Sequence, residues 1–255
     1  MARRATIDRG RLTQVALFQG LDDRTLDAVL AGSRTMFVEP RHVLTSSGTR
    51  VVAVLVVLQG IVQIATVTET GERSILGVQG PGALIGDAAV LDQDGFAIEA
   101  GASAVTVTAL EDCLYLAIDA RVFRHLVDTD VQFAANVARG LARRLRMMIV
   151  RDAWLTTLEL PIRLARFITW LADREGMHEE AQGEVALAVR LSQESLGDMV
   201  GATRESINKH LRDWSRLGIV EHVAGKLRIL DLARLRAIAA QAIEMLPPNA
   251  AAGRA

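Results

Sequence analysis

The sequence contains one cysteine, Cys113, among 255 residues. A single thiol cannot form a disulfide within the chain, nor supply the four thiolates of an iron–sulfur cluster. The sequence also lacks a run of about 18 apolar residues, so it offers no candidate transmembrane helix. No apolar core follows Arg3-Arg4, which excludes a twin-arginine export signal. We therefore expect a cytoplasmic protein without disulfides or contact with a membrane.

Basic residues are missing from the middle of the chain. No lysine or arginine occurs between Arg73 and Arg121, and residues 67–112 hold eight Asp or Glu residues. Residues 204–228, by contrast, hold six Lys or Arg residues against three acids. The net charge of −1 excludes a bulk polycation, but it does not conflict with this local positive excess. We expect any contact with nucleic acid to be made by the C-terminal part.

Short β-branched runs separated by glycines occupy residues 35–118. The runs 51–57, 61–67 and 105–108 are rich in valine, isoleucine and threonine. The glycines between such runs are Gly48, Gly60, Gly71, Gly80, Gly82 and Gly86. This pattern predicts an antiparallel β-roll or jelly roll with glycines at its tight corners.

A long helix is predicted over residues 129–158. Its apolar residues recur at alternating intervals of four and three, which is the a/d spacing of a coiled coil. The predicted seam is Ala138, Leu141, Leu145, Met148, Asp152 and Leu155. Packing against the β-roll of the same chain would explain only part of this stripe. Its length favours a parallel homodimer, with Asp152 as a register or switch element. Leu160-Pro161 is expected to break the helix, with a hinge over residues 156–161.

Residues 191–211 contain two short helical patterns joined by a glycine turn. Ser192 and Thr203 are candidate N-caps, and Gly201 suits the left-handed conformation that the turn needs. The inward face of the second helix holds Ile207, Leu211 and Trp214. Its opposite face carries Arg204, Glu205, Asn208, Lys209 and Arg212. The pattern predicts a helix-turn-helix whose second helix enters a major groove, the alternative being a helix hairpin with a solvated polar face.

The residue types on the second helix fit base recognition. Arginine and lysine donate to guanine, asparagine pairs with adenine, and glutamate accepts from cytosine. We therefore predict that base edges are read by Arg204, Glu205, Asn208 and Lys209. Residues 217–230 alternate around Ala224-Gly225, which predicts a two-stranded wing and favours the winged module. Phosphate contacts are assigned to Thr203, Arg212, Lys226 and Arg228.

The segment Val200-Gly201-Ala202-Thr203-Arg204-Glu205-Ser206 resembles the DNA-binding motif of the cyclic-AMP receptor protein and FNR (CRP/FNR) family of bacterial transcription regulators. The resemblance extends upstream over nearly the whole chain. It implies an α+β fold with an N-terminal cyclic-nucleotide-binding-type β-roll (jelly roll), a long dimerisation helix and a C-terminal winged helix-turn-helix. In that family, the positions matching Arg204, Glu205 and Lys209 read bases. The implied partners are promoter DNA, a second copy of the chain and RNA polymerase.

The resemblance and the patterns together predict five segments. They are a disordered arm over residues 1–10, a β-roll effector or sensor-like domain over 11–128, the dimerisation helix over 129–158, the winged domain over 159–246 and a disordered tail over 247–255. A strand over 184–191 should lead into the helix-turn-helix, and an amphipathic helix over 232–245 should follow the wing.

The resemblance also implies an effector pocket, although a degenerate one. Gly82–Leu91 resembles the phosphate cradle of the family, and Asp87 takes the place of its ribose-binding glutamate. The family's cyclic-AMP binders carry an Arg-Ser or Arg-Thr pair where this chain has Ala102-Ser103, and a Thr-Ser pair that meets adenine where it has Met148 and Ile149. The predicted pocket residues are Gly86, Asp87, Ala88, Ala102, Ser103, Met148 and Ile149. Loss of the fixed cation costs roughly 1.5–3 kcal/mol, so cyclic AMP is not the expected effector.

Three effector hypotheses remain open. The β-roll is a scaffold without a ligand, or it binds a larger or less anionic small molecule, or it binds a cyclic dinucleotide at a displaced site. His42, His125 and Cys113 form no axial-ligand pattern for haem, and we expect neither a metal nor a catalytic site, because no nucleophile–base set or P-loop is present. The alternative function is a ligand-binding regulatory protein that acts through protein partners without binding DNA.

Overall fold

The computed structural model describes residues 3–67, 73–92, 101–174, 179–180, 184–186, 192–223 and 226–241. The chain divides into two compact units, Met1–Met147 and Met148–Ala255. The helices are α1 (Arg9–Leu12), α2 (Asp23–Ala31), α3 (Asp87–Leu91), α4 (Ala120–Thr129), α5 (Val131–Thr157), α6 (Leu160–Arg174), α7 (Gln193–Val200), α8 (Arg204–Arg216) and α9 (Leu232–Ala240). The strands are β1 (Arg3–Ala5), β2 (Ser33–Val38), β3 (Val43–Thr45), β4 (Ala53–Gln59), β5 (Val62–Val67), β6 (Arg73–Gln79), β7 (Leu84–Ile85), β8 (Thr106–Ala109), β9 (Cys113–Asp119), β10 (Glu179–Glu180), β11 (Glu184–Ala186), β12 (Val220–Val223) and β13 (Lys226–Ile229).

Two antiparallel sheets form the β-roll of the first unit. Their strand orders are β1-β2-β9-β4-β7 and β3-β8-β5-β6. Alternate residues of β4 belong to different cores, because successive side chains of a strand point to opposite faces. Val54 and Val56 join a core formed with the helices, whereas Leu55 and Val57 join residues of both sheets, such as Val107. The predicted β-roll is therefore confirmed.

Cys113 lies buried at the start of β9. Its thiol donates a hydrogen bond to the carbonyl oxygen of Ile61 at 3.3 Å. Burial raises the pKa of the Cys113 thiol to about 11. The thiol therefore stays protonated at neutral pH and behaves as a small buried hydrophobe rather than as a reactive group.

The N-terminal segment is ordered from Arg3 onward, so the predicted disordered arm is wrong there. Arg3–Ala5 pairs with β2 as an edge strand, in the register Arg3 to Phe37. The Arg3 guanidinium lies 5.4 Å from the centroid of the Phe37 ring, and Asp8 caps α1. The polar, basic composition of the segment favoured disorder, but the edge of β2 offers unpaired backbone N–H and carbonyl groups with which Arg3–Ala5 pairs.

Several predicted features fall outside the described residues. They are residues 1–2, the corner at Gly71, the stretch 96–100, the strand beyond Ala186, the wing tip at Ala224-Gly225, the helix beyond Gln241 and the tail over 247–255.

Asn136 anchors the beginning of α5 within the first unit. Its side-chain amide donates to the carbonyl oxygens of Leu17 (2.9 Å) and Gln19 (2.8 Å). Its Oδ1 accepts hydrogen bonds from Gln132 and Arg139. Two donated and two accepted bonds use the amide's full capacity, so this buried polar group is satisfied.

The second unit contains the last turns of α5, then α6 to α9 and a small sheet of order β10-β11-β13-β12. The prediction that Leu160-Pro161 breaks the long helix is wrong in detail. The helix α5 ends at Thr157, and Pro161 lies in the first turn of α6. Proline fits there because the amides of a first helical turn have no partner within the helix. None of the helices in the described ranges combines the length and hydrophobicity that crossing a bilayer would require.

Candidate nucleic-acid interface and effector pocket

Local backbone chemistry builds the helix-turn-helix as predicted. The Ser192 hydroxyl accepts a hydrogen bond from the backbone N–H of Ser195 at 3.0 Å and begins α7. Gly201 ends α7 in the left-handed region, with φ 64° and ψ 52°. The Thr203 hydroxyl accepts from the backbone N–H of Ser206 at 3.2 Å and begins α8. Both predicted caps and the glycine turn are therefore present.

Gly197 lets the turn that follows α7 fold back closely onto that helix. Its carbonyl oxygen accepts a hydrogen bond from the N–H of Ala202 at 2.8 Å. A Cβ atom at Gly197 would lie 2.4 Å from the carbonyl oxygen of Ala202, which is far inside contact distance. The sequence patterns did not single out this residue, although its spacing of four residues before Gly201 was visible.

One face of α8 is buried, and the other carries polar groups. Ile207, Leu211 and Trp214 are at most 5% exposed. Arg204, Glu205, Lys209 and Arg212 are exposed, and Asn208 is partly buried. Within the described part of the chain, these five polar side chains make no hydrogen bond or ion pair with the protein. Their donors and acceptors are thus available to a ligand.

The polar face of α8 forms a shallow concavity of about 400 Å³. It is lined by Glu205, Asn208, Lys209, Arg212, Asp213 and Arg216. Arg216, which the sequence patterns did not single out, extends the row of cations one turn beyond Arg212 and lies 3.4 Å from Asp213. A cationic, amide-bearing depression along a helix is suited to the edge of a double helix.

The predicted phosphate contacts lie at different places in the second unit. Thr203 is the exposed N-cap of α8. Lys226 is the first residue of β13, next to the wing tip, and pairs with Val223. Arg228 lies further along the strand and is partly buried, opposite Glu221 of β12 and Ala186 of β11.

Residues of the predicted seam on α5 are largely exposed. Leu145 and Met148 expose 58% and 59% of their surfaces, and the neighbouring Ile149 exposes 60%. Ala138 and Asp152 are also exposed, whereas Leu141 and Leu155 are partly buried within the chain. The helix thus carries apolar side chains that the described part of the chain leaves uncovered.

The predicted cradle in the first unit holds a buried ion pair. Gly86 caps α3 with φ 85°, and a Cβ there would lie 2.8 Å from Cγ1 of Val51. Asp87, the next residue, is 1% exposed. Arg144 of α5 binds both of its carboxylate oxygens, with Nη1 donating to Oδ1 at 3.2 Å and Nη2 donating to Oδ2.

Comparison with known proteins agrees with this geometry. Residues 35–130 match a family model described as a cyclic nucleotide-binding domain, and residues 162–238 match a Crp-like helix-turn-helix domain. The transcriptional regulator LdrP of Thermus thermophilus is 32% identical over 148 residues, which are 58% of this chain and 71% of LdrP. The chain belongs to the CRP/FNR family.

Two further CRP/FNR relatives match most of the chain. A CRP-like cAMP-activated global transcriptional regulator of Mycobacterium tuberculosis is 25% identical over 224 residues, covering 88% of this chain and 96% of the relative. The crystal structure of a CRP-family transcriptional regulator from T. thermophilus matches with a TM-score of 0.65 and 26% identity, and the match covers 80% of this chain and 95% of that regulator. The chain is therefore a CRP/FNR-type transcription regulator with a helix-turn-helix DNA-binding domain, and a regulator without DNA binding is not favoured.

The other predicted CRP/FNR pocket positions differ in burial and do not all belong to the same unit. The Ser103 hydroxyl is buried and donates to the carbonyl oxygen of Val105 at 2.7 Å. Ala102 is buried and forms an isolated bridge with Arg50, whereas Ala88 is exposed. Met148 and Ile149 belong to the second unit, where both are exposed. Among the described residues, no group of three or more His, Cys, Asp or Glu side chains could hold a metal.

Proposed function

We propose that this CRP/FNR regulator binds a partly palindromic promoter site as a homodimer. The observation that carries the proposal is the polar edge of α8, whose side chains have no protein partner in the described ranges while the opposite face is buried. Such an edge can enter a major groove without breaking existing contacts. The proposed base-reading residues are Arg204, Glu205, Asn208 and Lys209.

Phosphate contacts would fix the orientation of α8 on the duplex. Thr203 stands at the N-terminus of a 13-residue helix, where free N–H groups and the helix dipole favour an anion. Arg212 follows on the same helix, and Lys226 and Arg228 belong to the wing. These contacts are independent of sequence and give the binding its salt dependence.

Replacing Arg204 with alanine should remove sequence preference at one base position of each half-site. Duplexes recovered by in vitro selection provide the operator, and titrations by gel shift compare it with a random duplex of equal length. We expect a loss of about 1–3 kcal/mol per lost bidentate contact, or roughly fivefold to 150-fold in affinity for each half-site of the selected duplex. The loss on the random duplex should be several-fold smaller.

Arg236→Ala is the matched control for this measurement. Arg236 is exposed in the same unit and pairs with Asp173, away from α8. It should bind both duplexes as the unchanged protein does. If Arg204→Ala weakened both duplexes equally, Arg204 would be a phosphate contact and not a base reader.

The homodimer would form through α5. Its seam offers Leu145 and Met148, both more than half exposed, and the helix spans 27 residues, or about 40 Å. Pairing of two copies would bury these side chains and present two α8 helices to half-sites about one helical turn apart. A monomer at micromolar concentration in sedimentation velocity would contradict this pairing. As a promoter-bound regulator, the dimer would also contact RNA polymerase.

We further propose that the protein binds its operator without cyclic AMP. The relative from M. tuberculosis is named as cAMP-activated, and this chain shares its cyclic nucleotide-binding domain. In this chain, however, the Asp87 carboxylate is paired with Arg144, and the Ser103 hydroxyl donates its hydrogen bond to the carbonyl oxygen of Val105. Ala102 supplies no cation for a cyclic phosphate. The β-roll would then act as a scaffold.

A thermal-shift series with cyclic AMP, cyclic GMP and cyclic di-GMP at 1 mM tests this hypothesis. A ligand at 100 times its dissociation constant stabilises the native state by about 2.7 kcal/mol, which raises the melting temperature by roughly 5–10 °C for a chain of this size. We expect no shift with any of the three. A shift with any of the three would refute the scaffold hypothesis and leave the DNA-binding proposal intact.

A further inference from the structure

Arg163 of α6 joins the ends of two other helices in the second unit. Its Nη1 donates to the carbonyl oxygens of Leu158 (2.9 Å) and Leu155 (3.3 Å). Its Nη2 donates to the carbonyl oxygen of Gly201 at 3.3 Å. Leu155 belongs to the last turn of α5, where a helix leaves carbonyl acceptors without partners, and Leu158 directly follows the end of that helix. Gly201 is the C-cap residue of α7, at the turn before α8.

Further contacts near Arg163 join the end of α5 to the helix-turn-helix and to α6. A Cβ atom at Gly201 would lie 2.8 Å from Cδ2 of Leu155, so the end of α5 lies directly against the helix-turn-helix. Arg166, three residues after Arg163 on α6, places its guanidinium 5.3 Å from the centroid of the Trp154 ring. Its Nε donates to the carbonyl oxygen of Ala239 in α9 at 2.8 Å.

We propose that Arg163 is a positioning residue that fixes the beginning of α8 to the end of α5. This inference rests on the proposed homodimer, in which α5 connects the two subunits. Because α8 begins three residues after Gly201, the three hydrogen bonds of Arg163 set the direction of each recognition helix relative to the last turns of α5, which carry the seam residues Met148, Asp152 and Leu155. They thereby set the spacing of the half-sites that the dimer accepts.

Arginine suits this role, because a planar guanidinium can donate to several acceptors in fixed directions. The Arg163 fork reaches three carbonyls on two segments of chain. A lysine ammonium is a single point of donation on a flexible stem and would hold fewer of these carbonyls. Glutamine keeps a polar side chain but is shorter and has neither the charge nor the fork.

The test measures the spacing of half-sites that each variant tolerates. Wild type and Arg163→Gln are titrated on duplexes carrying two selected half-sites at the optimal spacing, at one base pair more and at one fewer, and on a duplex with a single half-site. One base pair rotates a half-site by about 35°. We expect wild type to bind the duplexes with one base pair more or fewer about tenfold or more weakly than the duplex with optimal spacing. Arg163→Gln should bind the duplex with optimal spacing about tenfold more weakly than wild type does. A change of one base pair in the spacing should lower its affinity further by roughly threefold or less, and its affinity for the single half-site should equal that of wild type.

The controls separate positioning from simple loss of stability. Arg163→Lys should fall between wild type and Arg163→Gln in its spacing penalty, and Arg236→Gln should match wild type. An unchanged spacing profile in Arg163→Gln would overturn the inference. An equal loss on the single half-site would also overturn it, because Arg163 would then only stabilise the fold. If wild type itself showed no preference for two half-sites, the proposed dimeric function would fail and the inference with it.

Discussion

Replacing Gly197 with valine should nearly abolish operator binding and weaken the second unit by at least about 3 kcal/mol. A Cβ atom there would lie 2.4 Å from the carbonyl oxygen of Ala202, and backbone at a tight turn cannot yield as a flexible side chain does. Overpacking of this kind typically costs about 1–3 kcal/mol, and the branched valine adds two methyl groups at the same crowded point. The turn would have to open, which would displace α8 from its N-cap at Thr203.

Tryptophan fluorescence reports this change selectively. The three tryptophans, Trp154, Trp170 and Trp214, all lie in residues 148–255, so urea unfolding followed by their emission reads the second unit. Gly77→Val in the first unit is the control for adding a valine elsewhere in the chain, because nothing beyond its chain neighbours lies within 4 Å of a Cβ at Gly77 and valine favours the strand β6. If Gly197→Val kept the wild-type unfolding midpoint and operator affinity, the close approach of the Ala202 carbonyl to α7 would affect neither stability nor DNA binding.

The helix-turn-helix could be predicted from sequence because its determinants are local. Ser192 and Thr203 each cap the helix that follows by accepting a hydrogen bond from the N–H three residues further on. Gly201 takes a left-handed conformation that other residues rarely adopt. The apolar stripe of α8 repeats within a single helix. Each signal is complete within about four residues, so no tertiary information was needed.

The ion pair of Asp87 and the hydrogen bonds of Asn136, which the sequence did not reveal, join residues that are far apart in the chain. Asp87 and Arg144 are 57 residues apart, and Asn136 binds carbonyls 117 and 119 residues away. The sequence has no basic residue between Arg73 and Arg121, so no near neighbour of Asp87 in the chain could supply its counter-charge. The cation comes instead from α5, and only the packing of that helix on the β-roll brings it there. The strand β1 was missed for the same reason, because its partner β2 lies some 30 residues further along the chain.

Replacing Arg144 with methionine should destabilise the first unit by about 3–5 kcal/mol. Asp87 is 1% exposed, and its two carboxylate oxygens are bound by Arg144. Removing one partner of a buried pair leaves an ionised group without compensation, which costs more than the pair itself contributes. Methionine keeps much of the apolar length of the arginine stem, so lost packing should account for only a small part of the effect.

The adjacent Arg143 provides the control for this loss. It is exposed on the same helix, and Arg143→Met should change stability by less than about 0.5 kcal/mol. The double variant Asp87→Asn with Arg144→Met should be more stable than Arg144→Met alone, because the buried charge is gone. Far-UV circular dichroism during urea unfolding follows both units, while tryptophan emission marks the second. If Arg144→Met matched Arg143→Met, the pair would not hold α5 on the β-roll.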